Sequence, residues 1–331
     1  MIKVSEAGAL CTVQGSSRRG VAHLGVCRAG PLDSSAAALA NLLLGNPPQA
    51  ACLELIAGPL RLECTQTQWL CVTGTGFVLS VEPGQQRVNA GWPIQLQAGE
   101  SLLLNNSQSS GTAYIAVAGG FAVPRVLHST STDLAAGFGG LEGRTLRRGD
   151  TLVVTALRQQ ETCAYHRYGV QRPSAPPLLR AIPGPEHDLL DPQRREQFWR
   201  GRWLLSTQFN RMGCRLQPHT PVANPDTAAA PQALGKLASH AVLPGTVQWP
   251  ADGQPLVLLA DAQTTGGYPR VASVIQADLW RLAQLPRNST IRFERCTEVQ
   301  AVAALRQQRA QLYRFTLALA KARGNLAAGS N

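Results

Sequence analysis

Between residues 52 and 117 the chain is cut into short apolar runs, and this punctuation restricts the fold more than any other feature. The runs are Cys52–Ile56, Leu60–Cys64, Gln68–Val72, Phe77–Val81, Ile94–Leu96, Ser101–Leu104 and Ala113–Val117. Gly58-Pro59, Gly74, Pro83-Gly84 and Gly91 separate them. Strand-length runs with turn signals at a spacing of roughly ten residues indicate a sandwich or barrel. The 31 glycines and 22 prolines of the 331-residue chain suit many turns and short strands.

The rest of the chain extends that plan. Ala9–Val13 and Val21–Val26 read as strands around a Gly15-to-Gly20 loop. Asp33 reads as a helix N-cap, with Ala36, Leu39, Ala40 and Leu43 at helical spacing and a stop at Gly45-Asn46-Pro47. Residues 119–150 are glycine-rich and lead to a strand over Thr151–Thr155. Pro173, Pro176 and Pro177 mark a boundary, giving an N-terminal β-barrel domain over 1–172 and a C-terminal one over 173–331. In the second half, Asp191-Pro192 opens a short helix through Trp199. Strands are expected at Leu178–Ile182, Trp203–Ser206, Arg215–Leu216, Ala241–Leu243, Gly245–Trp249 and Ile291–Arg295, with a helix at Val274–Leu282. Thr297-Glu-Val-Gln300 is a capping box before a long terminal helix with Val299, Val302, Leu305, Leu312, Phe315 and Leu319 on one face. The fold class is mainly β: two barrels, few short helices and a C-terminal helix.

Composition narrows the chemistry. The net charge is +11, but basic residues come singly or in pairs and lysine occurs only at Lys3, Lys236 and Lys321. A diffusely basic, arginine-rich surface suits anionic substrates or an acidic partner better than nucleic acid. The eight cysteines lack C-x-x-C or zinc spacing and read as buried thiols. The histidines share no metal spacing, so no metal site is expected. No apolar stretch has signal or membrane-spanning length, which reads as a cytoplasmic protein without a membrane partner. Gly74-Thr-Gly76 precedes a strand and so is no dinucleotide fingerprint. Gly235-Lys236 lacks a following Ser or Thr, and no lysine has a biotinyl-carrier context.

One stretch carries unusual polarity. After the Asp252-Gly253 turn, Leu256–Leu259 is an unbroken apolar run that delivers Asp261, Gln263, Thr264 and Thr265 onto Gly266-Gly267, followed by Tyr268 and Pro269. A buried strand that ends in polar side chains and a flexible turn presents donors from a rigid base. The same residues could instead satisfy local turn hydrogen bonds.

The segments Thr12-Val-Gln14, His23-Leu-Gly-Val26, Gly30-Pro-Leu-Asp33-Ser34, Leu53-Glu54, Asn210-Arg-Met-Gly213, Gly245-Thr-Val-Gln248 and Ala260-to-Pro269 give the chain a family resemblance. It resembles the family of 5-oxoprolinase C-type subunits and biotin-dependent carboxyltransferases, which includes allophanate hydrolase subunit 2 and antagonists of a sporulation-kinase inhibitor. The resemblance implies cyclophilin-like barrels and a 5-oxoprolinase B-type partner from the allophanate hydrolase subunit 1 family. It also implies a third protein, the A-type component, and the use of ATP to open the lactam of 5-oxoproline to glutamate. Activating a lactam oxygen requires cations around phosphoryl groups and donors to the carbonyl. Arg211, Gln263, Thr264 and Tyr268 are the implied catalytic positions. Asn210, Arg215, Asp261, Thr265, Gly266 and Gly267 are the implied substrate-binding ones. Glu54 and Asp33 read as structural. Two further readings share these loops: a urea- or allophanate-type carboxyltransferase using biotin, and a non-catalytic regulator binding a kinase-inhibitor partner. The chain departs from the family at Gly15, where an Asp is usual, at Thr130, where an Arg is usual, and at His240, where a Glu is usual.

Overall fold

The computed structural model describes residues 1–107, 111–155, 168–219 and 237–328, with side chains to residue 323. Contacts divide the chain into two units. The first comprises Met1–Arg18, Ala29–Ser174 and Arg309–Asn331; the second comprises Arg19–Arg28 and Ala175–Gln308.

In the first unit, β1 (Ile2–Glu6), β2 (Leu10–Gln14), α1 (Ser34–Leu43), β3 (Cys52–Ala57), β4 (Leu60–Cys64) and β5 (Gln68–Gly74) come first. They are followed by β6 (Phe77–Glu82), β7 (Gln86–Val88), β8 (Pro93–Leu96), β9 (Ser101–Asn106), β10 (Ala113–Val117) and β11 (Thr151–Leu152). They form a six-stranded sheet ordered β11-β1-β4-β9-β6-β7 and a five-stranded sheet ordered β2-β3-β10-β5-β8. One core, including Val4, Leu62 and Leu104 of the first sheet and Leu53, Leu70 and Ile115 of the second, is shared by both. Side chains alternate across a strand. Cys52, Cys71, Tyr114 and Ala116 therefore point the other way, where they pack with Ala36, Ala40 and Leu43 of α1. This double burial explains why β3, β5 and β10 read as continuous apolar runs. Asp33 caps α1, its Oδ1 accepting from Ala36 N at 2.9 Å.

Two expectations fail here. Val21–Val26 is no strand; Ala22–Leu24 makes a 3-10 turn closed by Gly25 at φ 77°. Only Thr151–Leu152 of the expected final strand pairs, with β1, and Val154 makes an isolated bridge to Phe121.

The second unit contains β12 (Leu178–Pro183), α2 (Pro192–Arg200), β13 (Trp203–Phe209), β14 (Gly213–Pro218), β15 (His240–Ala241) and β16 (Thr246–Gln248). Next come β17 (Leu256–Leu258), β18 (Thr265–Gly266), β19 (Arg270–Val274), α3 (Leu279–Gln284), β20 (Thr290–Arg295) and the first part of α4 (Glu298–Ala328), whose residues from Arg309 on belong to the first unit. Seven strands close a barrel in the order β12-β19-β16-β17-β14-β13-β20, sealed by parallel pairing of β12 with β20. Phe198 of α2 stacks on Phe293 at 4.5 Å between centroids, and Trp203 meets Trp249 edge-on at 6.0 Å. Each such ring buries a large apolar area.

The expected helix over Val274–Leu282 is a correction. Val274 ends β19, which is hydrogen-bonded to β12 and β16, and the helix covers only Leu279–Gln284. Barrel pairing overrides the local helical spacing. The capping box forms: Gln300 N donates to Thr297 Oγ1 at 3.2 Å, and Thr297 N donates to Gln300 Oε1 at 2.8 Å. The buried face of α4 matches the expected one only in its second half. Val299 and Val302 are exposed, whereas Ala301 and Ala304 pack on Ile275, Ala277 and Cys296 of the second unit. Within the first unit, Leu312, Phe315 and Leu319 pack with the α1 cluster. Among the described residues, no helix is long and apolar enough to cross a membrane.

Candidate functional site

The polar stretch leaves the barrel at β17 and runs beside the β13–β14 turn of the same unit. Asn210 is consumed by that turn, its Oδ1 accepting from Met212 N at 2.8 Å and Gly213 N at 3.2 Å. Arg211 turns inward. Its Nε and Nη2 donate to the two carboxylate oxygens of Asp261 at 2.8 and 2.7 Å, and the side chains are 2% and 6% exposed. Asp261 N also donates to Arg211 O at 2.9 Å, and Leu259 N donates to Met212 O at 2.9 Å. Two sequence candidates are thus joined in the interior, where they fix one loop to the other.

Outside this pair lies a cleft of ≈ 350 Å³ whose lining includes Phe209, Asn210, Met212, Arg215, Leu258 and Gln263. Arg215 pairs with Asp252 at its edge. The Arg287 guanidinium lies 3.5 Å from the centroid of the Phe209 ring, and burial lowers its pKa to about 10. It remains a cation at neutral pH. A larger hollow of ≈ 530 Å³ in the first unit, beside Val88 and Trp92, contains none of the sequence candidates.

Gln263 leads into β18, which pairs antiparallel with β15, placing His240 opposite Gly266 and Ala241 opposite Thr265. Thr264 O accepts from Val242 N at 3.0 Å. Thr265, Gln263 and Tyr268 are exposed, and Thr264, Gly266 and Gly267 are half-buried. Arg270 anchors the far end: its Nε and Nη2 donate to Glu186 at 2.9 and 2.8 Å, and its Nη1 donates to Ala241 O at 3.1 Å. Those hydrogen bonds hold the Glu186 carboxyl below the ordinary glutamate range.

Gln248 was not among the candidates. It is fully buried at the end of β16, and neither carboxamide atom has a hydrogen-bond partner among the described residues. A lone carboxamide in an apolar barrel strand was the available signal. A Cβ placed on Gly266 would lie 2.6 Å from Gln248 Nε2 and 3.5 Å from Gln263 Nε2, so the two amides flank one face of that glycine.

In the first unit the two structural readings correspond to real contacts. Glu54 Oε2 accepts from Leu32 N at 2.7 Å and Asp33 pairs with Arg172 at 2.5 Å. Tyr114 OH accepts from Asp33 N at 2.7 Å, and burial, with the Glu54 and Asp33 charges, raises its pKa well above the ordinary tyrosine value. Gly15 and Thr130, both expected from the sequence to depart from the family pattern, lie side by side: a Cβ on Gly15 would lie 2.0 Å from Thr130 Oγ1. Among the described residues, no group of three or more His, Cys, Asp or Glu could hold a metal ion.

Comparison with known proteins places these features in a family. A family model described as carboxyltransferase domain, subdomain A and B, matches residues 24–295. The chain is 41% identical over 308 residues to the C-type subunit of the 5-oxoprolinase of Escherichia coli, covering 93% of this chain and 95% of that protein. The solved structure of TTHA0988 superposes with a TM-score of 0.74 at 32% identity, covering 88% of this chain and 55% of that one. The K. lactis urea amidolyase superposes with a TM-score of 0.81 at 25% identity, and this chain spans 95% of itself but only 20% of that larger protein.

Proposed function

The chain belongs to the carboxyltransferase-domain family, and on that premise we propose that it acts as the C-type component of an ATP-dependent 5-oxoprolinase. In this reading it works with a B-type and an A-type partner to open 5-oxo-L-proline to L-glutamate. The observation that carries the reading is its end-to-end likeness, at 41% identity, to a protein named for that assembly.

A lactam is an unreactive amide, and ATP makes its opening feasible. The γ-phosphoryl group passes to the lactam oxygen as ADP leaves. Water adds to the activated carbon, and the C–N bond breaks to give an amine and an acyl phosphate. A second water releases phosphate and the γ-carboxylate. Phosphoryl transfer depends on positioned cations and donors. We assign the cationic role to Arg215 at the cleft, and the donor roles to Gln263, Thr264, Thr265 and the Gly266 and Gly267 amides. Tyr268 walls the site, Asn210 sets the turn below it, and the Arg211–Asp261 pair holds the two loops together. ATP binds in company with the B-type partner.

The test is co-expression with the B-type chain, purification of the complex, and assay of glutamate release from 5-oxoproline with ATP and the A-type component. ATP-dependent release that collapses in Arg215→Ala and Gln263→Ala, with the complex intact, supports the reading. A stable complex without release sinks it and favours a regulator of a kinase-inhibitor partner. The carboxyltransferase-domain match supports a second reading, a urea- or allophanate-type carboxyltransferase. Turnover that requires carboxylated biotin would select that one.

A further inference from the structure

Gln248 is 0% exposed, and its carboxamide oxygen and nitrogen both lack a hydrogen-bond partner among the described residues. Its neighbours Val247 and Trp249 are equally buried, so an apolar side chain would suit the strand. A buried amide left unpaired is destabilising, and one kept in a fold calls for something that completes it. The surroundings indicate the side from which that partner comes. Gly266 packs directly against the carboxamide and does not need its freedom for a left-handed backbone; a Cβ there would lie 2.6 Å from Gln248 Nε2, so only a glycine leaves the amide in place. Gln263, on the same face of Gly266, lines the cleft of ≈ 350 Å³.

A carboxamide presents one acceptor and one donor side by side. The group that satisfies both in one flat pair is a cis amide, whose N–H and C=O share an edge. Peptide amides are trans and hold the two on opposite sides. A lactam is cis by ring closure. We propose that Gln248 binds the amide edge of the lactam, with Oε1 accepting from the ring N–H and Nε2 donating to the ring carbonyl. The second lone pair of that carbonyl stays open for activation. The opened product has a carboxylate in place of this edge, and a second acceptor facing Oε1 is repelled. The residue therefore favours substrate over product. This inference rests on the 5-oxoprolinase reading above and adds the residue that selects the ring.

The experiment uses the full complex and compares 5-oxo-L-proline with its N-methyl analogue, which lacks the ring N–H. Gln248→Leu is expected to raise KM for 5-oxoproline about 10- to 100-fold with kcat little changed, as loss of ground-state binding does. It should also abolish the native preference for the N–H lactam, while the melting temperature holds or rises because an unpaired polar group is gone. Should Gln248→Leu fail to assemble, Gly266→Ala puts a Cβ 2.6 Å from Gln248 Nε2 and displaces the carboxamide, and KM must rise there too. A folded Gln248→Leu with native KM and native discrimination overturns the inference and leaves the proposed function standing. So does a ligand-bound structure in which water, not the lactam, meets both amide atoms. A native complex that neither binds nor turns over 5-oxoproline overturns both.

Discussion

Arg211 and Asp261, fifty residues apart, meet through a two-pronged ion pair of 2.8 and 2.7 Å in the interior of the second unit. Its partners are out of water, so each charge depends on the other. Arg211→Ala should cost about 3–5 kcal/mol, because it strands a buried carboxylate. Arg211→Met combined with Asp261→Leu should recover most of that loss. Urea denaturation of the two variants checks this. A single Arg211→Ala that unfolds at the native midpoint contradicts the anchoring role.

Glu186 provides the pH dependence. Its carboxyl is held below the ordinary range, chiefly by hydrogen bonds from the Arg270 side chain. A depressed folded-state pKa contributes stability that is complete above the ordinary glutamate value and is lost as pH falls through the lower folded one. Glu186→Gln should therefore flatten the acid limb of the stability curve and lower stability near neutrality. Melting temperatures between pH 3 and pH 7 test it, and parallel curves for native and variant would contradict it.

Gly15 and Thr130 should behave as a unit. Gly15→Asp alone drives a side chain into Thr130 Oγ1, with Cβ only 2.0 Å away, and should cost about 3 kcal/mol. Adding Thr130→Arg supplies a countercharge beside the new aspartate. A double-mutant cycle should give a favourable coupling of about 1–3 kcal/mol. Simple additivity would mean that the two side chains do not interact.

The thiols should be silent. Cys11, Cys27, Cys52, Cys64, Cys71, Cys214 and Cys296 are buried and in no disulfide, and burial pushes Cys64 up to about 11 and Cys214 up to about 12. Cys163 lies outside the described residues. A Cys163→Ser protein should show no thiol reacting with a disulfide reagent within minutes at pH 8, and all seven after denaturation. Fast labelling of the native variant would place a cysteine at the surface.

The strands were legible where turn residues and apolar runs agreed, as at Leu60–Cys64 and Ala113–Val117, which form strands over those same spans. The caps at Asp33, Asp191 and Thr297 were legible for the same local reason. Features set by distant partners were not. Val274, Ile275, Leu279 and Leu282 fit a helix, yet the first of them is claimed by barrel pairing. Val299 and Val302 share the expected apolar stripe, but the surface beneath that turn receives Ala301 and Ala304 instead. For the site, sequence identified the polar loop that reaches the cleft. It could not reveal that Arg211 spends its charge on Asp261, because that pairing depends on a turn and a strand end meeting in space. Gln248, named only within a resemblance segment, was no site candidate because a single polar residue in a strand becomes informative only once its neighbours prove unable to pair with it.

The barrel of the second unit is sealed by its first strand and its last, Leu178–Pro183 beside Thr290–Arg295. A ring joined in this way has no partial form: until residue 295 has left the ribosome, β12 and β13 each present an open edge. Closure is the longest-range event in the unit, so it is slow and exposes the chain to mispairing while it waits. Any shortened version that stops before β20 therefore loses the enclosure as a whole, and with it the rigid base from which Gln248 and the Gln263 loop are presented.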